Sequence, residues 1–254
     1  MVKAIFSIFI VFCLIILSVH EVSSGVVGLW YLDEGNGQIA ADSSGNGNDG
    51  KLTGTIKWSD NGKFNGCIEG DGTIGWVEIP NSESLTRGSG PFTVMAWIKA
   101  NAVAQYGIFA KSADAPIAHQ DWGLYAWDGK MRFSGNWPEA WTADKFTGKS
   151  DIVAGKWIHL AVAWGDEKLL FYIDGNLDVE FSWLGPFVDA DVVLTIGADP
   201  AGGDEPINGL IDEVAMFDEV LSKQKIQSTM NGLEAFMSVD GSGKLSTTWG
   251  ILKN

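Results

Sequence analysis

Short segments in which apolar and polar residues alternate, each closed by a tight-turn pair, recur along most of this chain. That period of two is the signature of β-strands, whose successive side chains point to opposite faces. Phe92–Ile98 and Trp157–Trp164 carry β-branched and aromatic residues on both faces and read as central, buried strands. Asp166-Glu167 marks a turn into Leu169–Ile173, and Asp174-Gly175 a second turn into Leu177–Phe181. Asp128-Gly129 joins Trp122–Trp127 to Lys130–Ser134. Asp-Gly suits hairpins because a type I′ turn needs positive φ at both central residues. Val27–Leu32, Lys63–Glu69, Trp76–Ile79, Val192–Ile196 and Leu210–Phe217 complete the strand candidates.

One helix is expected. Ser222 caps its start, Leu221 and Ile226 form a hydrophobic staple, and Gly232 ends it. Strands do not alternate with helices, so a parallel α/β sheet is disfavoured. An all-β fold of two packed antiparallel sheets, a jelly-roll sandwich with one short C-terminal helix, fits the pattern. No linker rich in proline or serine divides the chain, which is read as one domain over residues 25–232 with a tail over 233–254, either an ordered appendage or a frayed end.

The N-terminus is read apart from the fold. Lys3 precedes an apolar run from Ala4 to Val19, and Val22-Ser23-Ser24 offers small residues for cleavage before Gly25. This is the form of a secretory signal peptide, residues 1–24, and the alternative is an uncleaved anchor. Cleavage leaves the net charge at −15, since Lys3 and Glu21 depart together. Such a charge disfavours nucleic acid and anionic lipid as partners, and no membrane contact is expected once the signal is gone. Cys13 lies in the signal without a lipobox before it, so Cys67 alone remains and no internal disulfide forms. Cys67 reads as a small buried hydrophobe.

Several segments occur together in a telling order: Gly28-Leu-Trp-Tyr-Leu-Asp-Glu-Gly35, Asp42-Ser-Ser-Gly-Asn-Gly47, Gly75-Trp-Val-Glu-Ile-Pro80, Phe92-Thr-Val-Met-Ala-Trp97, Trp157-Ile-His-Leu-Ala161, Phe171-Tyr-Ile-Asp-Gly175 and Asn208-Gly-Leu-Ile-Asp-Glu-Val214. From Val26 to Met230 the chain resembles the laminin-G-like, or concanavalin A-like lectin/glucanase, jelly-roll domains of secreted proteins. The resemblance implies a ligand-binding or adhesive module, often for carbohydrate. It also implies Ca²⁺ on the convex side, where the N-terminal and penultimate strands meet.

The loop Asp42-Ser-Ser-Gly-Asn-Gly47 presents hard oxygens at alternate residues, as Ca²⁺ requires. It looks like half an EF-hand, but Thr53 stands where the bidentate glutamate belongs. Further ligands must come from elsewhere. The metal set is therefore Asp42 and Asn46, with Asp212 supplied by the resemblance and Asp33 as a weaker member. The alternative is an Asx-turn in which Asp42 and Asn46 bond their own backbone.

Of the 12 tryptophans, Trp30, Trp97 and Trp157 sit in alternating strands and read as core. Trp122, Trp127, Trp137 and Trp141, with Asp121 and Asn136, cluster beside turns and form the candidate ligand-binding patch. Their other reading is as plugs for the ends of the sandwich. Trp183 and His119-Gln120 lie in further loop-like stretches, and His159 reads as a core histidine. The Glu-x-Asp-x-x-Glu pattern of glucanases with this fold is missing, and the neighbours Asp212 and Glu213 are expected on opposite sides of a strand. Three functional readings follow: a secreted, Ca²⁺-stabilised, non-catalytic module for a glycan or glycoprotein surface; a glycoside hydrolase or polysaccharide lyase with an unrecognised site; and an adhesion protein that binds other proteins. Oligomeric state is left open.

Overall fold

The computed structural model describes residues 25–86, 90–111, 122–137, 140–141, 146–182, 191–200 and 205–239. In chain order its first strands are β1 (Val26–Trp30), β2 (Ile39–Ala40), β3 (Gly50–Leu52), β4 (Lys57–Ser59), β5 (Cys67–Asp71), β6 (Val77–Ile79), β7 (Phe92–Ala100), β8 (Tyr106–Lys111) and β9 (Trp122–Trp127). There follow β10 (Lys130–Trp137), β11 (Ala140–Trp141), β12 (Thr147–Asp151), β13 (Ile158–Gly165), β14 (Lys168–Ile173), β15 (Asn176–Ser182), β16 (Leu194–Ile196), β17 (Asn208–Phe217) and the helices α1 (Lys223–Thr229) and α2 (Leu233–Val239). No helix among them is long and apolar enough to cross a membrane.

Every strand pairing is antiparallel, in two sheets. One runs β15-β14-β13-β7-β17-β5-β4, with β1 also on β17; the other runs β11-β10-β9-β8-β16-β6-β3-β2, with β12 on β10. This is the two-layer jelly-roll sandwich the alternation calls for. The turns follow their chemistry too: Asp128 and Gly129 lie at φ 52 and 73°, Asp174 and Gly175 at 46 and 67°. Asp166 and Glu167 reach 50 and 61° without a glycine.

The main core lies between the sheets. From the first sheet come Val94, Ala96, Ile98, Leu160, Val162, Phe171, Ile211, Val214 and Met216; from the second come Phe109, Leu124, Ala126, Met131, Phe133, Leu194 and Ile196. Phe92 of β7 stacks on Trp122 of β9 at 5.7 Å, and Trp30 of β1 meets Phe109 of β8 edge-on at 5.7 Å. A second apolar layer covers the outside of the first sheet, where Leu221, Ile226, Leu233 and Phe236 pack on Leu29, Met95, Ala161 and Ala215. Ser222 Oγ accepts from Lys225 N at 3.2 Å, capping α1 as read from the sequence.

Short strands β2, β3, β4 and β11 were not expected, and four further differences from the sequence reading have physical causes. The segment Leu233–Val239, assigned to the tail, is a second short helix; Gly232 at φ 102° separates it from α1, and seven residues are too few to display a period. The strand expected at Lys63–Glu69 begins at Cys67, because residues 62–66 form a loop held by carboxylates. β8 was not expected: a bulge between Gly107 and Phe109 breaks its alternation. β12 was not expected either, since Thr147-Gly-Lys-Ser-Asp151 is polar and pairs along one edge only.

Candidate functional site

The loop after β2 is tied into the edge of β1. Asp42 Oδ1 accepts from Leu29 N at 3.0 Å and Ser44 N at 2.8 Å; its Oδ2 accepts from Ser44 Oγ at 2.8 Å and Asn48 N at 2.9 Å. Asn46 Nδ2 donates to the carbonyls of Val26 and Val27, both at 3.0 Å. Asp33 and Asp212 hold another loop, residues 62–66: Asp33 accepts from Gly66 N and Asn65 Nδ2 at 2.8 and 3.1 Å, and Asp212 of β17 accepts through Oδ2 from Phe64 N at 2.9 Å. The four residues expected to share a Ca²⁺ ion are thus divided between two places, the loop after β2 and the surroundings of loop 62–66. Asp42 already carries four donors, one of them Ser44 N in an Asx-turn, whereas Asn46 bonds β1 rather than its own loop backbone, so the Asx-turn alternative holds for Asp42 alone. Among the described residues no group of three or more histidine, cysteine, aspartate or glutamate side chains converges to hold a metal. The expected set does not fit a calcium site.

Asp212 and Glu213 lie on one face, contrary to the expectation from strand alternation. Register shifts between Asp212 and Ala215 where β17 pairs with β7, and Glu213 takes φ 52° in this bulge. Ile211 and Val214 remain inside, while both carboxyls emerge on the outer face of the first sheet beneath the loop 62–66 and α2. Glu213 Oε2 accepts from Leu233 N at the start of α2. Burial, with Glu213 and Asp33 nearby, raises the Asp212 carboxyl to about 8. Burial, with Asp33 and Glu234, raises Glu213 to about 7. Trp97 lies opposite Asp212 in register, with Lys63 Nζ 4.2 Å above its ring and His159 edge-on at 5.2 Å. His159 is buried, as read from the sequence, and burial lowers it to about 3. Cys67 is buried as well, and burial, then Asp212, pushes its thiol to about 12. Asp212, Glu213, Trp97, His159 and Cys67 are all buried, beneath an exposed Lys63.

The outer face of the second sheet carries aromatic and polar side chains of its own, Tyr125 and Ser134 among them buried. In β9, Trp122, Leu124 and Ala126 point into the core, while Gly123, Tyr125 and Trp127 take the other side. Trp122, expected in the ligand patch, is 2% exposed and stacks on Phe133 as well as Phe92, so it belongs to the core. Trp127 is five residues on, an odd spacing that sends it to the opposite face; sequence parity carried that signal. Trp127 is half-buried, with the Arg132 guanidinium 4.7 Å over its ring and Arg132 Nη2 4.0 Å from Asp128. Trp157, expected in the core, is half-buried just before β13. Asn136 pairs with Trp141 and Trp137 with Ala140 in the β10–β11 ladder. Asp121, His119, Gln120 and Trp183 lie outside the described residues.

Sequence reasoning missed a polar cluster on this face. The Tyr125 hydroxyl donates to Asp199 Oδ2 at 2.6 Å, and Asp199 is 1% exposed. Burial, then the Asp199 carboxylate, holds Tyr125 well above the usual phenol range. The Ser134 hydroxyl sits beside Tyr125 but outside hydrogen-bonding geometry, buried and without a partner among the described residues. Burial, then Asp199, raises the Glu205 carboxyl to about 7. Two glycines make room. A Cβ on Gly107 would lie 2.4 Å from Asp199 N, and one on Gly123 would lie 2.1 Å from the Tyr125 hydroxyl. Asp199 is 74 residues from Tyr125, so no local motif announces the pair. Tyr125, Ser134 and Asp199 are all buried, and Glu205 is half-buried beside them.

The family model described as the concanavalin A-like lectin/glucanases superfamily matches residues 71–227. The chain belongs to the concanavalin A-like superfamily. The matched stretch runs from the end of β5 into α1, and β17 inside it pairs with both β5 and β1. Domain 4 of AbnA, an extracellular arabinanase from Geobacillus stearothermophilus solved with arabinotriose, superposes with a TM-score of 0.65 at 22% identity, over 80% of this chain and 98% of that one. The binding domain of Paraclostridial Mosquitocidal Protein 1 superposes at 0.66 and 14% identity, over 83% of this chain and 52% of that one. A Trypanosoma rangeli sialidase superposes at 0.61 and 15% identity, over 84% of this chain and 33% of that one. The concanavalin A-like chain thus spans about half the toxin domain and a third of the sialidase; these likenesses establish its fold. No curated protein matches it in sequence.

Proposed function

We propose that this concanavalin A-like chain is a secreted carbohydrate- or glycoprotein-binding module whose ligand seats on the outer face of the nine-stranded sheet. The observation that carries the reading is the Tyr125–Asp199 hydrogen bond with Ser134 and Glu205 beside it. Sugars present closely spaced hydroxyls, and such a cluster offers donors and acceptors on a rigid strand support. Trp127 lies at one end of the β9–β10 hairpin and supplies a flat apolar ring. The backbone of Asn136, Trp137 and Trp141 lies at the other end of that hairpin, and Asp121 of the expected patch lies outside the described residues. The arabinotriose bound to the arabinanase domain supports a carbohydrate ligand. Secretion rests on the signal-like N-terminus, and the net charge of −15 disfavours nucleic acid.

The test is a printed glycan array, followed by calorimetry on any glycan bound. Asp199→Asn and Tyr125→Phe are expected to weaken binding at least tenfold, about 1.4 kcal/mol. An unchanged affinity in both variants places the ligand elsewhere. A second reading, glycoside hydrolysis, draws on the same acids, since Glu205 held up to about 7 beside Asp199 has the character of a general acid. Release of reducing ends from the bound polysaccharide, lost in Glu205→Gln, is the result that favours it.

A further inference from the structure

We infer that Asn36 is a site of spontaneous covalent modification, where the folded chain converts an asparagine to isoaspartate and aspartate ahead of every other Asn-Gly pair. The inference stands apart from the binding reading above. An asparagine followed by glycine is open to this reaction because no side chain on the next residue obstructs its backbone nitrogen. The chain has six such pairs, beginning at Asn36, Asn46, Asn61, Asn65, Asn208 and Asn231. In the reaction the Gly37 nitrogen attacks Asn36 Cγ. An N–C bond forms, the Cγ–Nδ2 bond breaks, and Nδ2 leaves as ammonia with the proton from Gly37 N. Solvent water then opens the cyclic imide at either carbonyl and gives aspartate or isoaspartate. The chain gains one negative charge.

The fold separates the six pairs. Asn36, Gly37 and Gln38 are all exposed in the loop between β1 and β2. Gly37 N donates to no group among the described residues, and an added Cβ on Gly37 would meet nothing within 4 Å. The leaving nitrogen, Asn36 Nδ2, donates to Glu34 O alone, at 3.2 Å. Elsewhere one or both reacting groups are held. Asn46 Nδ2 donates to the carbonyls of Val26 and Val27 and to Ser44 Oγ. Gly62 N donates to Asn65 O at 3.2 Å, and Gly66 N and Asn65 Nδ2 both donate to Asp33. Asn208 and Gly209 lie in β17, paired with β5. Gly232 is buried, and its N donates to Thr229 O at 3.1 Å. A held amide must first open, which lowers the fraction able to react. Gly37 O accepts from Trp58 Nε1 at 3.0 Å, and isoaspartate, which routes the main chain through Cβ, displaces that carbonyl.

The experiment incubates the intact chain at mildly alkaline pH, in buffer and in guanidinium chloride. Timed samples are digested with a protease that cuts before Asp33 and Asp42, which separates Asn36 from Asn46, and the peptides are read by mass spectrometry. In buffer, conversion at Asn36 is expected to run roughly fivefold or more ahead of each other pair, the weight of about one net hydrogen bond. In denaturant the six pairs should react at similar rates. Labelling by an isoaspartyl methyltransferase should fall on the Asn36 peptide, and Asn36→Gln should remove the leading product while the other five pairs keep their rates. Conversion led by another pair in buffer, or the same ranking in buffer and denaturant, overturns the inference. So does an Asn36 that stays intact in buffer while the denatured sample reacts.

Discussion

Asp212 and Glu213 are sequence neighbours that share one face of a β-sheet, because the bulge at Glu213 adds a residue to β17 without adding one to β7. The consequence is two buried carboxyls under one cover. Their folded-state values, about 8 and about 7, lie above the ordinary 3.8 and 4.5. Glu205 is raised in the same sense. In these windows the folded chain holds more protons than the unfolded one, so stability falls as pH rises. The contribution is complete below the ordinary values and is lost as pH climbs to about 8. Chemical denaturation from pH 5 to 8 is expected to give a declining midpoint.

Asp212→Asn removes one of these charges and keeps an oxygen to accept from Phe64 N. It is expected to stabilise at pH 8 by about 1 to 3 kcal/mol, as one to two pKa units of relief would give, with little change at pH 5. Thermal melts at the two pH values check this. Equal effects at both would mean that the carboxyl is not titrating.

His159 works in the opposite direction. Its folded value of about 3, below the ordinary 6.5, gives stability that is present above pH 6.5 and lost as pH falls toward 3. Taken with the three raised acids alone, it places the stability maximum at about pH 4 to 5. His159→Phe, which keeps a ring against Trp97, is expected to flatten the acid limb of the profile.

Asp42→Ala removes the acceptor of four hydrogen bonds at the edge of β1. A loss of about 2 kcal/mol is expected, in the range for hydrogen bonds to a charged group. For a chain of this length that is a fall of roughly 4 to 8 °C in Tm. The fall should be the same in calcium and in a chelator. A deficit that appears only with calcium would restore Asp42 as a metal ligand.

Trp122→Ala is expected to cost about 3 to 5 kcal/mol, the usual range for emptying a large aromatic site in a core. Its ring packs on Phe92, Phe109 and Phe133. Trp127→Ala, on the other face, should change Tm little and weaken glycan binding. A comparison of melting and affinity in the two variants separates a core tryptophan from one at the ligand seat.

The two-sheet sandwich, its hairpin turns and the Ser222 cap were legible because each is written in residues a few positions apart. A period of two marks a strand, a dipeptide marks a turn, and a hydroxyl three residues from an amide marks a helix start. The order of those signals also carried the superfamily, which the match over residues 71–227 bears out. Tertiary structure alone decided how side chains distant in sequence converge. It gave Asp42 one donor from β1, Leu29 N, and it brought Asp199 to Tyr125 across a gap opened by Gly107. It also turned Glu213 to the side of Asp212 through a bulge. These outcomes depend on strand register and backbone approach between segments far apart in the chain, and a local pattern of polarity encodes neither.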